Sequence, residues 1–304
     1  MLSQISRGSQ WLLAITLLLA AGATFFFSLN HPITADLAML HYSAWLINEK
    51  NFVLYRDIFD INFPAPYIFH SLLGNWLGYD ALPLRWIDFS LMALLGWASW
   101  KIVSPLSKPA AITGFSLFCL LYWVNGGEYV LERDVLALIP AALAFAVASG
   151  EKFSRNTVVL IGILAAIACS MKPNTVVMVP VLLWMLHSNH TLKKYTAIVL
   201  FLLTMFFVAL IPFSWVIAQK GLDSFIDIYR HYMPVYANSR YDLWHYSSSA
   251  ERWQTLLSQY AQWGGIALLL SAPGLLGAAA SPTQQSTAQT HHPACCDHLC
   301  LHAL

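Results

Sequence analysis

Eight apolar runs punctuate this chain: Trp11–Phe27, Trp86–Val103, Ala110–Val124, Val135–Ala148, Val158–Met171, Thr175–His187, Thr196–Ala218 and Gly264–Ala279. A helix crosses a bilayer with about 20 mostly apolar residues. The shorter runs can be completed by polar flanks that snorkel to the interface. The pattern predicts an all-α integral membrane protein, a multi-span helical bundle of about eight spans. The first run has no small-residue cleavage site leading into a polar domain, so it reads as a span and not a cleaved signal.

Composition agrees. Hydrophobic residues make up 58% of the 304 and charged residues only 10%. A soluble domain carries about 25% charge, enough to cover a water-facing surface. The net charge is +1 with no basic cluster, which excludes nucleic acid as a partner. Twelve Trp and thirteen Tyr suit a chain with two membrane interfaces to line. Cys119 and Cys169 lie inside apolar runs, where a thiol is inert filler. No disulfide framework is legible.

Lys and Arg in the short connections set the orientation. Arg7, Lys101, Lys108, Lys152, Arg155, Lys193 and Lys194 fall at alternate connections. Placing them inside puts the N-terminus in the cytoplasm and two long segments outside, 28–85 and 219–263. The expected organisation is a polytopic module over 1–279 and a polar tail over 280–304, disordered or aberrant. A His/Cys tract can bind metal, but the tail's spacing matches no zinc module.

The first outer segment carries structure. Thr34 is a candidate N-cap. Leu37, Leu40, Ala44 and Ile47 share one helical face, as in a helix lying on a membrane surface. "NFVLYRDIFDINFPAPYIF" follows, its prolines forcing extended chain, and a second amphipathic helix runs from Tyr67 to Leu77. In the last outer segment, Leu222–Tyr232 has helical spacing, followed by an aromatic, turn-rich stretch that reads as a cover over a cavity.

The chemistry-bearing residues collect in these segments. Asp36, in the first turn of a surface helix, gains from the helix dipole. It is a general base or simply the start of a helix. Arg56, Asp57 and Asp60 form a cluster whose two carboxylates could hold a divalent cation or brace Arg56 locally. Glu132, Arg133 and Asp134 stand at the mouth of an apolar run, where ionisable groups face a cavity or each other. Arg133 suits bidentate phosphate binding. Lys172, in "SMKPN", is an interfacial anchor or the partner of a lipid phosphate. His31, His41, His70, His231 and His245 show no metal spacing; they read as interfacial, with His231 and His245 as weak substrate contacts.

The order "TADLAMLHYSAWLINEKNFVLYRDIFDINFPAPYIFHSLLG" resembles the first outer loop of GT-C fold glycosyltransferases, nearest to bacterial members of the protein O-mannosyltransferase and aminoarabinose transferase type. Asp36 matches their acidic position, Tyr55 and Asp57 a middle element, Pro64 and Pro66 a proline pair. Two departures stand out. Leu37 replaces a second acid, and Asn62-Phe63 stands where aminoarabinose transferases have a Lys. Arg133, Lys172 or Arg85 would then supply the phosphate contact. The resemblance covers roughly Trp11 to Ala218. Relatives continue beyond residue 304, so it implies a truncated member.

The resemblance implies a polyprenyl-phosphate-linked sugar as donor and a lipid, glycan or protein acceptor at the outer face of a bacterial inner membrane. Asp36 would act as general base with inversion, and Tyr55, Arg56, Asp57, Asp60, Arg85, Arg133, Asp134, Lys172 and His231 would line the substrate site. No cofactor is implied, a divalent metal being the one ion the pattern could take. No Gly-rich phosphate loop marks a nucleotide site. Two other classes compete: a transporter or flippase for lipid-linked sugar, which calls for functional charges inside spans, and a non-catalytic truncated relative.

Overall fold

Every apolar run up to Ala218 forms a helix, and many of the helix ends have a local cause. The computed structural model describes residues 7–125, 127, 129–150, 153–188 and 194–236, all within one unit, Ser6–Ser247. The helices are α1 (Arg7–Ser28), α2 (Ala35–Lys50), α3 (Ala65–Leu77), α4 (Ala81–Val103), α5 (Lys108–Val124), α6 (Arg133–Ala148), α7 (Arg155–Met171), α8 (Val179–Ser188), α9 (Lys194–Ala218) and α10 (Leu222–Asp227). A 3₁₀ turn, Pro173–Met178, leads into α8, and a π-helical turn, Ile228–Tyr232, prolongs α10. No strand occurs among the described residues; Leu54 and Ile58 form an isolated bridge. The apolar run Gly264–Ala279, the tail and most of the last outer segment lie outside the described residues.

Ser107 caps α5 by accepting from the Ala110 N–H, with Pro109 in the first turn. Ser154 and Thr157 close a reciprocal capping box on α7. Asn51 ends α2 in the left-handed conformation, φ 55°, which Asn tolerates better than most residues. Thr34 does occupy the N-cap position of α2, but its side chain makes no capping bond.

Two of these helices, α1 and Tyr195–Ala218 within α9, are long and apolar enough to cross a bilayer by length and composition. The larger number read from sequence rests on shorter elements. The apolar part of α4 is diluted by Arg85, Asp88 and Lys101, and α6 has only 16 residues.

The helices pack as a chain of neighbours: α1 along α5, α4 against α5 and α6, α6 against α7, α7 against α9, α8 against α9, and α2 against α3. One core gathers Phe25, Leu84, Met92, Tyr122 and Trp123 with Val135, Leu136 and Ile139 of α6. A second gathers Ala144 and Ala148 of the same helix with Ile161, Ala165, Leu182 and Phe201. A third joins α2, the 54–67 stretch, Val216 and Ile228. Helix α6 thus belongs to two cores. At Gly162, α7 and α9 come so close that an added Cβ would lie 2.9 Å from the Thr204 side chain and 3.1 Å from the Phe201 carbonyl.

The α2–α3 pair holds two buried imidazoles where the sequence suggested interfacial ones. His41 and His70 meet edge to face at 5.8 Å, and Tyr79 lies 5.2 Å from His41. Burial pushes His41 below the usual range; the Gly78 backbone opposes this. Burial, and then the neighbouring His41, push His70 down to about 3. Both rings therefore fold neutral and protonate more readily in the unfolded chain. Their contribution is complete above the unfolded value near 6.5 and drains away as pH falls below it, by at most about 1.4 kcal/mol per pH unit for each ring. Thermal melts followed by helical circular dichroism should fall between about pH 6.5 and pH 4. The double variant His41→Leu/His70→Leu should flatten that slope; an unchanged slope would assign the acid sensitivity to other groups.

Candidate functional site

Strained backbone precedes both acid-bearing helix starts. Ala35, just before Asp36, and Leu131, just before Glu132, both have φ of 51°. Left-handed conformations at non-glycine residues cost about 1–3 kcal/mol and persist where packing over-determines them. Leu131 is held by complete burial. Upstream of Asp36, Arg85 holds the chain: its Nη2 donates to the carbonyls of His31 and Pro32 at 3.0 Å each. Lys172 ends α7 in extended backbone, φ −145° and ψ 111°, because the proline after it disfavours the helical region.

These starts and ends converge. Arg133, the first residue of α6, donates from Nη2 to Asp36 Oδ2 at 2.7 Å and from Nε to the same oxygen at 3.2 Å. Its Nη1 donates to Asn62 Oδ1. Lys172 pairs with Asp134. Glu132, at the N-cap position of α6, is half-buried. Burial pushes its carboxyl up, as does the charge of Asp36; Arg133 and Lys172 oppose the shift. Burial and then Arg133 push the Lys172 ammonium down, against Glu132 and Asp36. Three carboxyls thus share two cations, and Glu132 is the one left without a counter-charge of its own.

The 51–62 loop forms one wall. Tyr55, at φ 71°, is buried, and its hydroxyl donates to the Asn62 carbonyl at 2.6 Å. Asp60 accepts from the Asn62 N–H at 2.7 Å. The buried hydroxyl of Tyr67 lies against Asp60 and Asn62, and its pKa is raised by burial and then by Asp60. From the other side Tyr229 donates to the Ile61 carbonyl at 2.9 Å, and Phe63 sits among Phe213, Phe225 and Tyr229.

Asp36, Arg133, Asp134 and Lys172 therefore meet, with Tyr55 and Asp60 shaping the wall through Asn62. Four other candidates stand elsewhere. Arg56 and Asp57 brace the loop: Asp57 Oδ1 accepts from Arg56 Nε at 3.0 Å, and Oδ2 accepts from Arg56 Nη2 and the Val53 N–H, both at 2.8 Å. Arg85 is 1% exposed; its Nη2 serves the His31 and Pro32 carbonyls, its Nε and Nη1 are buried without a hydrogen-bond partner, and no hydrogen bond among the described residues joins it to the Asp36–Arg133 pair. His231 is exposed and faces Asp227 on its own element at 3.5 Å; His245 lies outside the described residues. Asp88, within α4, accepts from the Tyr122 hydroxyl at 2.6 Å and from Trp123 Nε1 at 3.1 Å.

Sequence reasoning missed Asn62 and Tyr67. Asn62 Oδ1 accepts from Arg133 Nη1. Its signal was adjacency to the proline pair. Among the described residues no three His, Cys, Asp or Glu side chains gather as a metal site requires. Chemically, the cluster offers two cations for an anion and two neighbouring carboxyls, Asp36 and Glu132, for a proton.

No family model matches this chain, and neither a curated protein nor a solved structure matches it.

The Asp36–Arg133 pair is partly exposed, 32% and 27%, so solvent screens it and its coupling should be about 1 kcal/mol. A double-mutant cycle with Asp36→Ala and Arg133→Ala, read by denaturant unfolding in detergent, measures it. Additive effects would show that the pair contributes nothing to stability.

Proposed function

We propose that this chain is a membrane glycosyltransferase that moves a sugar from a polyprenyl-phosphate donor to an acceptor hydroxyl at the outer face of a bacterial inner membrane. The observation that carries the reading is the meeting of Asp36 with Arg133, Glu132 and Lys172, from segments 97 residues apart in one case, at one end of apolar helices. Membrane placement draws on α1 and α9, in whose apolar windows only 22% and 11% of residues are buried. The core helix of a soluble protein buries most of such a window. In this reading the shorter helices complete a bundle of about eight spans.

The proposed step is an inverting displacement. The acceptor hydroxyl attacks the anomeric carbon, its proton passes to Asp36, and the bond from that carbon to the phosphate oxygen breaks. The bonding pair leaves with the lipid phosphate, whose charge Arg133 and Lys172 offset. In the free protein these cations are held by Asp36 and Asp134. A donor phosphate competing for Arg133 releases Asp36 Oδ2 when it is needed as a base. Within α4, Asp88 is held by Tyr122 and Trp123, which favours a structural role for that carboxylate over one in a transport route.

The test is sugar transfer in nanodiscs supplied with polyprenyl-phosphate sugar. Asp36→Asn should lower turnover by about 10²–10⁴-fold, the usual contribution of a general base, with protein level unchanged. Arg133→Ala should raise the KM for donor. Unaltered transfer in Asp36→Asn removes that residue from the role, and movement of donor across the bilayer without transfer would replace the enzyme with a flippase.

A further inference from the structure

At the end of α7 opposite Lys172, about 25 Å away along a 17-residue helix, a groove opens between α7 and α9. It is lined by Arg155, Tyr195, Thr196, Val199, Leu200 and Leu203 and has a volume of about 590 Å³, within the range of small-molecule sites. Its origin is the close contact at Gly162 against Phe201 and Thr204. There the helices touch; one to two turns nearer their N-termini the gap is unfilled.

The groove has two chemistries. Val199 and Leu203 are exposed, and the bare apolar surface continues along α9 through Phe206, Phe207, Leu210 and Ile211. At the mouth stands Arg155, exposed and without an ion-pair partner among the described residues. In sequence, the residues just before α7 and around the start of α9 carry Lys152, Lys193 and Lys194 against one acid, Glu151. A peptide in such a groove would bring backbone N–H and C=O groups that find no partners on an aliphatic wall within a bilayer. A phospholipid brings none, and its acyl chain can follow α9.

We propose that this groove holds one anionic phospholipid, its phosphate at Arg155 and an acyl chain along Val199 and Leu203. The inference rests on the membrane placement above and is independent of sugar transfer.

The experiment is native mass spectrometry of the full chain released from nanodiscs of equal phosphatidylglycerol and phosphatidylcholine. The expected result is one retained phosphatidylglycerol per chain. Arg155→Gln should reduce retention about fivefold, the effect of one basic side chain at a membrane surface, and Arg155→Lys should restore it. Leu203→Trp, which fills the groove and leaves the charge, should reduce retention as well. Equal retention of the two lipids, retention unchanged in both Arg155→Gln and Leu203→Trp, or displacement by inorganic phosphate alone would overturn the proposal. A chain that does not enter nanodiscs overturns it together with the membrane placement; a transfer-dead chain that still selects phosphatidylglycerol leaves it standing.

Discussion

The Arg133 guanidinium is the tie on which the charged end depends. It donates to Asp36 from one segment and to Asn62 from another, while its own backbone starts α6. A planar fork of N–H donors can serve several acceptors in fixed directions, which an ammonium cannot. Without it, Asp36 and Glu132 would face each other with Lys172 as the nearest cation, and that cation already pairs with Asp134. Half-buried carboxyls with no counter-charge take up a proton or move apart. The arrangement is therefore a balance in which each group keeps its place because of the others. An incoming anion disturbs all of them at once.

That balance is carried by α6. Its first half packs into the core of α1, α4 and α5, and its second half into the core of α7, α8 and α9. Close-packed interiors transmit displacement instead of absorbing it. A shift of α6 along its axis would reach Arg133 directly and both cores together. Pro140 lies within α6 and is buried there; it withholds one backbone N–H from the helix ladder, so the middle of α6 is its weakest point.

Much of the helical layout could be read from the chain because its signals are local. Ser107 with Pro109, Ser154 with Thr157, and Lys172 before Pro173 each fix a helix end through neighbours a few residues away. The charged end was legible residue by residue: Asp36, Arg133, Asp134 and Lys172 were all candidates. Which of them meet was not, since an ion pair spanning 97 residues leaves no periodic trace. The same limit hid Asn62, whose role exists only because Arg133 arrives from α6. Arg85 shows the same limit: a basic residue beside an apolar run reads as a phosphate ligand, but its burial and the hold of its Nη2 on the His31 and Pro32 carbonyls are long-range features. His41 and His70 looked interfacial because polarity alone does not reveal that two rings will meet edge to face between helices.

The separation of Asp36 from Arg133 has a consequence for biogenesis. Chains grow at about 5–20 residues per second, so roughly five to twenty seconds pass between the two residues leaving the ribosome. Through that interval α2 has an acidic first turn with no cation to meet it, and the first core lacks its last helix. The newborn chain must wait in a half-assembled state with apolar faces bare. Slow synthesis between codons 36 and 133 would lengthen that wait, which makes this stretch of translation the period when the chain most needs a chaperone beside it.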